Sequence, residues 1–295
     1  MKKFIIKSFL LFIIPCVIYV ATFYVLKDSF KRQLSKYSII LLGDSQTKFI
    51  KNSEIYNHSI DGSPYFVHYI FASEFIEYLK GKKIYISCNY HNFSKLYQNR
   101  LANDSLLPGW REYVFRHIDK YDIFNYKHSE LRPVDLDYTL FDIKKLPDLF
   151  RDIYVKRKNS NSMVNIVYDT LSIKNEIKRH WYDPRYMLKD TIQRKYLNKL
   201  VTLLKENKCE VILLKMPLTN FYIKNVPLQI KNEFPLLSNK YSIQILDLNN
   251  ALSISNQYIY FKDYGHLNSL GDSLVIDYFI KNEIKSQTYK SIYEQ

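Results

Sequence analysis

The chain has 295 residues, 47% of them hydrophobic and 16% aromatic, and a formal net charge of +14. That apolar content fills one large core or two small ones, which excludes a disordered chain. The lysines are dispersed among Tyr, Asn and Ile rather than gathered in a basic motif with interleaved aromatics, which speaks against a nucleic-acid binder and for a solvated basic surface or attraction to anionic lipid or glycan.

Met1-Lys2-Lys3 precedes an apolar segment from Ser8 to Leu26, closed by Lys27, Lys31 and Arg32. At about 1.5 Å of rise per residue this segment is long enough to span a hydrocarbon core, with Lys7 and Lys27 placed to snorkel at its ends. Pro15 is tolerable there, since lipid-embedded helices accommodate proline. One transmembrane helix is therefore expected. It reads as an uncleaved anchor rather than a signal peptide, because bulky Tyr24-Val25-Leu26 stands where a small-x-small cleavage site would follow. Positive charges flank both sides, so the positive-inside rule does not orient it. The short amino terminus, with the whole body of the chain after the anchor, gives the expectation of an extracytoplasmic domain, periplasmic or at the cell surface. Cys16 falls within the span; Cys88 and Cys209 adjoin expected strands as small buried hydrophobes. No Cys or His pair has ligand spacing, so neither a disulfide framework nor a metal site is expected.

Asp28 to Lys36 reads as a polar connection, giving an anchor-and-linker unit over 1–36 and a folded domain over 37–295. The run Ser38-Ile39-Ile40-Leu41-Leu42 reads as a buried strand stopped by Gly43-Asp44-Ser45, a turn in which Gly permits positive φ and Asp and Ser bond back to the backbone. Ile55-Tyr56-Asn57 reads as a short second strand ending in the turn Asp61-Gly62-Ser63-Pro64. Pro64 opens a helix to about Lys80, in which Phe66, Tyr69, Ile70 and Ile76 recur at helical spacing and Gly81 supplies the stop. Lys82 to Ser87 is a further strand leading into Cys88-Asn89-Tyr90-His91-Asn92. This strand, turn, helix, strand order is the signature of parallel βαβ units, whose ligand sites form at the carboxyl ends of the strands.

From about 93 to 184 the periodicity weakens around Pro108, Pro133 and Pro147, with short amphipathic pieces such as Leu146 to Val155. This stretch reads as a helical and loop insertion or lid within one α/β domain, placed where it can shape a substrate site. Its histidines, His117, His128 and His180, sit in no recognisable constellation and read as surface or packing residues. A helix follows from about Pro184 to Asn207, with Ile192, Tyr196, Leu200 and Leu203-Leu204 as its apolar stripe. Glu210 to Met216 is a buried strand broken by Pro217, Leu228 to Leu237 a helical piece, and Gln244 to Leu248 another strand. Tyr258 to Phe261 leads into the loop Lys262-Asp263-Tyr264-Gly265-His266-Leu267-Asn268, and a final helix runs from near Asn268 to about Lys285.

Asp263 and His266 share that loop with Gly265 between them, so one carboxylate can hold an imidazole with its other nitrogen directed at a hydroxyl. Alone, Asp-x-x-His is equally a helix cap or a solvated loop. In combination, Gly-Asp-Ser after the first strand, Gly after the second, Asn after the third and Asp-x-x-His before the last helix resemble the SGNH or GDSL-type hydrolase family, over roughly Ser38 to Asn92 and Lys199 to Lys285. The resemblance implies a three-layer α/β/α sandwich around a mostly parallel five-stranded sheet. It further implies Ser45 as nucleophile, His266 as general base and acid, and Asp263 as the group orienting it. The implied oxyanion hole is the backbone N–H of Ser45, the backbone N–H of Gly62 and a side-chain amide from the third block. That block is usually Gly-x-Asn-Asp; here Ser87-Cys88-Asn89-Tyr90 keeps only the Asn, and Asn89 and Asn92 both stand as candidates for the amide. No metal or cofactor is implied.

The implied chemistry is acyl transfer through Ser45, to water in an esterase or to a sugar hydroxyl in an O-acyltransferase. With an outward-facing anchored domain, the expected substrate is an acylated envelope polysaccharide or related glycan, and the expected partners are the membrane and envelope-biosynthesis proteins. The alternative is a catalytically silent SGNH-like binding or scaffold protein in envelope-polymer assembly.

Overall fold

The computed structural model describes residues 31–99, 170–184 and 192–284, together with positions 13, 17 and 28. Five strands form one sheet: β1 (Ile39–Gly43), β2 (Ile55–Ser59), β3 (Lys83–Ser87), β4 (Glu210–Lys215) and β5 (Gln244–Asp247). Their order is β2-β1-β3-β4-β5, and all four pairings are parallel. Every strand therefore ends on the same edge, and β1 lies at the point where the order reverses, which is where α/β sheets open a crevice.

The strands β1, β3 and β4 are buried on both faces, so their apolar residues run continuously rather than alternating with polar ones. Ile40, Leu42, Ile84, Ile86, Val211 and Leu213 belong to one core, and Ile39, Leu41, Tyr85, Ile212 and Leu214 to the other. The first core is closed by α1 (Tyr65–Leu79), through Phe66, Ile70 and Phe71, and by α2 (Ile192–Glu206), through Tyr196, Leu200 and Leu204. The second is closed by α3 (Ser269–Phe279), through Val275 and Phe279. Helices thus cover both faces of the sheet.

Helix ends follow local chemistry. Pro64 is the residue before α1, and Gly81 at φ 72° takes the left-handed conformation that lets the chain leave after it. Asn268 caps α3 by accepting from the N–H groups of Leu270 and Gly271. The single helix expected over Leu228–Leu237 is two, Leu228–Lys231 and Glu233–Tyr241. The polar connection expected up to Lys36 is in part helical, over residues 31–36, and Leu34 is fully buried in the first core. The Lys82 ammonium donates to the carbonyls of Leu34 and Tyr37, so the chain is already docked before β1 begins.

Among the described residues no helix is long and apolar enough to cross a membrane, and the span expected over Ser8–Leu26 lies, apart from Ile13 and Val17, outside them. Most of the insertion expected at 93–184, with Leu146–Val155, His117 and His128, also lies outside. Of its described parts, Lys95–Asn99 and Thr170–Ile177 are helical. His180 is fully buried, with Nδ1 2.7 Å from the Tyr222 hydroxyl. Cys88 and Cys209 are buried free thiols.

Candidate active site

The carboxyl edge of the sheet gathers the candidate residues. β1 ends at Gly43, and the chain turns at once through Asp44, Ser45 and Gln46. Gly43 is not among the residues with positive φ, so the conformational freedom expected of it is not what the turn uses. It is needed for space: a Cβ there would meet Thr47 Oγ1 at 1.9 Å and Ser59 Oγ at 2.6 Å. Thr47 folds back onto the end of β1, its hydroxyl 3.2 Å from the Asp44 carbonyl and 2.8 Å from Ser59 Oγ.

On the far side, the loop before α3 brings in Asp263 and His266. Asp263 Oδ1 accepts from the N–H groups of Gly265 at 3.0 Å and His266 at 2.8 Å. Its other oxygen, Oδ2, lies 2.8 Å from His266 Nδ1. That contact makes Nδ1 the protonated nitrogen and leaves Nε2 as an acceptor. Ser45 Oγ is 2.8 Å from His266 Nε2, so the serine hydroxyl donates to it. Ser45, His266 and Asp263 are brought together, in line, from positions 221 apart. The His266 and Asp263 side chains are 34% and 33% exposed, so the site opens to solvent.

The electrostatics match this geometry. Burial acts to raise the Asp263 carboxyl, but the His266 imidazole and the two backbone N–H groups outweigh it and hold the group below its usual value. Burial acts to lower His266, but the Asp263 hydrogen bond and charge, with a smaller contribution from Asp44, raise it above an ordinary histidine. Asp272 in the first turn of α3 is close enough to feel His266, and burial pushes its carboxyl up to about 6.

Gly62 lies in the turn after β2 with φ 63°, a left-handed position that favours glycine. Three ties hold that turn against the turn that carries Ser45: Ser63 Oγ donates to the Gly43 carbonyl at 3.2 Å, the Ile60 N–H to the same carbonyl at 3.0 Å, and Lys48 Nζ to Asp61 Oδ2 at 2.6 Å. Within the described residues the Ser45 N–H donates to no acceptor.

The amides of the third block have a different arrangement from the one expected. Asn89 Nδ2 donates to Gln46 Oε1 at 3.1 Å and to the Met216 carbonyl at 2.9 Å, which uses both of its hydrogens. Its oxygen accepts the Tyr90 N–H, which fixes the amide's orientation. Asn92 Nδ2 donates to Asp44 Oδ2 at 3.0 Å, and its oxygen accepts the Asn89 N–H at 2.7 Å. Neither amide is hydrogen-bonded to Ser45; both brace the turn that carries it.

Two bracing residues had no signal in the sequence, because their partners lie far along the chain. His91 Nε2 is 2.9 Å from Asp44 Oδ2, with both side chains buried. Burial alone would raise the Asp44 carboxyl, but His91, Asn92 and the Gln46 N–H hold it well below the carboxylate range. Gln46, 2% exposed, donates from Nε2 to the Gly265 carbonyl at 3.0 Å, across 219 positions. Among the described residues no cluster of His, Cys, Asp and Glu is arranged to hold a metal ion.

No protein-family model matches the sequence, and no curated protein matches it. Two solved structures are similar in outline. A GDSL-like lipase from Bacteroides thetaiotaomicron is 12% identical, with a TM-score of 0.42 over 86% of this chain and 90% of that one. A protein provisionally described as an acylhydrolase, from Bacteroides fragilis, is 13% identical, with a TM-score of 0.40 over 87% of this chain and 88% of that one. The sheet of five parallel strands, with helices on both faces, is the architecture that the resemblance to SGNH or GDSL-type hydrolases implied.

Proposed function

We propose that the protein is a serine-dependent ester hydrolase or O-acyltransferase acting through an acyl-serine intermediate. The observation that supports this most strongly is the relay from Ser45 Oγ to His266 Nε2 and from His266 Nδ1 to Asp263 Oδ2, both steps 2.8 Å. Ser45 Oγ attacks the ester carbonyl as its proton passes to His266 Nε2, and Asp263 stabilises the imidazolium formed. The backbone N–H groups of Ser45 and Gly62 are the donors offered to the tetrahedral oxyanion. Collapse breaks the bond to the alcohol oxygen, which leaves with the proton from His266. A second hydroxyl, from water or from a sugar, then repeats the sequence on the acyl-serine.

The finer reading is an envelope enzyme whose acyl group comes from, or goes to, a polysaccharide, with the domain outside the cytoplasm on an amino-terminal anchor. It draws support from the apolar Ser8–Leu26 segment and the net charge of +14, which suits an anionic polymer or a membrane surface. A second reading, a binding protein of the same fold without turnover, draws support from the Asn89 amide, both of whose hydrogens are already used.

One experiment separates the two. Wild type should label at Ser45 with a fluorophosphonate probe and release acetate from acetylated glycan, and Ser45→Ala should do neither, a loss on the order of 10⁶ in turnover. A wild-type protein that stays unlabelled while a control serine hydrolase reacts would select the binding reading. Labelling with activity on small esters but none on glycan would retain the enzyme and reject the substrate.

A further inference from the structure

The triad's two halves come from opposite ends of the chain, and their contact is a single hydrogen bond between Ser45 and His266. Asp263 cannot set that distance. Its bonds to Gly265, His266 and the imidazole are all internal to the loop, so they orient the ring and travel with it. Tyr264 packs on Tyr222 and Leu267 enters the second core, and among the described residues the hydrogen bonds, other than that of Ser45, that tie the loop to distant parts of the chain fall at two neighbouring residues. The Tyr264 carbonyl accepts the N–H of Thr219 at 2.9 Å and its hydroxyl at 3.2 Å, which anchors the loop to the chain after β4. The Gly265 carbonyl accepts Gln46 Nε2, which anchors it to the nucleophile turn.

Gln46 is built for that single arrangement. Its backbone N–H is held by Asp44 Oδ1 at 3.0 Å, and its side-chain oxygen by Asn89 Nδ2, so the amide cannot rotate without losing a buried partner at each end. The approach is also close: a Cβ on Gly265 would meet Gln46 Nε2 at 2.4 Å and Leu218 Cδ2 at 2.6 Å. We propose that Gln46 is a positioning residue that fixes the separation of Ser45 from His266, and that Asn89 acts through it by holding the amide in register. This rests on the reading of Ser45 and His266 as nucleophile and base. It gives the third-block asparagine a role one side chain removed from the oxyanion.

The proposal makes a prediction that a general loss of structure would not. In Gln46→Met, which keeps the volume and removes both bonds, the rate of fluorophosphonate labelling should fall about tenfold to hundredfold, as a displacement of about 1 Å across a reacting pair does. KM for a small ester should hardly change. The pH midpoint of the labelling rate should rise only slightly, because the charged groups facing His266, namely Asp263, Asp272, Asp44 and Lys262, are untouched and the one change is a weakened Ser45 donor to the neutral imidazole. Gln46→Glu keeps the acceptor for Asn89 but, once ionised, has no hydrogen for Gly265, so its labelling rate relative to wild type at the same pH should fall at least as far as that of Gln46→Met at high pH and approach one as the pH falls and the carboxyl protonates.

The ¹⁵N resonance of His266 Nε2 tests the same point without any substrate. Ser45→Ala removes the hydroxyl donor and shifts that resonance; Gln46→Met should shift it the same way, and adding Ser45→Ala to Gln46→Met should change little more. A wild-type resonance in the folded Gln46→Met protein would overturn the proposal whatever the activity. If the resonance shifts as expected but wild type never labels, the positioning role stands and the esterase reading falls.

Discussion

Asp263 keeps His266 in one tautomer and raises its affinity for the proton. The neutral imidazole is the form that accepts from Ser45, so labelling and turnover should rise with pH along a limb above 6.5. In Asp263→Asn the charge is gone and burial is left to pull the imidazole down, so the limb should move to lower pH while kcat falls on the order of 10⁴-fold; a limb that stays in place would mean Asp263 does not face the base. Gly43 was legible as a residue the turn requires, but for the wrong reason. Its φ is ordinary, and the constraint is the Thr47 and Ser59 hydroxyls beside it. Gly43→Ala should therefore cost about 1–3 kcal/mol of stability from overpacking, and Thr47→Ala in the same chain should return part of it in a urea titration. The sequence could not distinguish these explanations because Thr47 folds back by a turn and Ser59 arrives on another strand.

The elements were legible where one physical signal dominates. Buried parallel strands announce themselves as unbroken aliphatic runs, and α1 is bracketed by Pro64 and Gly81. The second strand is expected as the short run Ile55-Tyr56-Asn57 before the turn at Asp61. It continues to Ser59, since His58 stacks on Phe71 of α1 with ring centroids 3.8 Å apart and Ser59 pairs with Gly43. This junction carries a pH dependence of its own. His68 on α1 has Nε2 2.9 Å from Ser63 Oγ, while its Nδ1 is buried without a partner. Burial pushes His58 down to about 3 and His68 down to about 4. Both are neutral in the folded protein and take up protons near 6.5 when it unfolds. Their contribution is complete above pH 6.5 and is lost as the pH falls toward 4 and then 3. His266 has the opposite sign, its contribution present below 6.5 and lost as pH rises through its raised value. The urea midpoint should drop steeply below pH 6.5, and His68→Gln should flatten that drop; an unchanged slope would mean His68 is already charged in the fold.

At the scale of the whole molecule the two ends of the sheet do different work. The carboxyl edge carries the site, and the amino edge is locked by Glu283, which accepts from Lys83 Nζ at 2.9 Å and from the Tyr85 hydroxyl, with Lys83 and Glu283 only 13% and 12% exposed. Glu283→Ala should destabilise the fold by about 1–3 kcal/mol while leaving fluorophosphonate labelling of the folded protein unchanged, which thermal unfolding and labelling on one sample would check. The overall architecture was readable from the order of strands and helices; the bracing around Ser45 was not, because each brace joins residues that no short window contains.

That same separation governs the order in which the molecule comes together. β1, α1 and β3 are close neighbours along the chain, but the sheet is completed only when β4 joins β3 and β5 joins β4, and the brace from Asn89 to Met216 closes 127 positions. Closing a long loop adds little to its equilibrium cost, about 0.6 kcal/mol per doubling of length, but it delays the contacts that depend on it. The contact of Ser45 with His266 spans 221 positions and depends on that closure. On dilution from denaturant, helical circular dichroism should therefore recover ahead of labelling at Ser45, the refolding chain regaining helices before Ser45 and His266 meet.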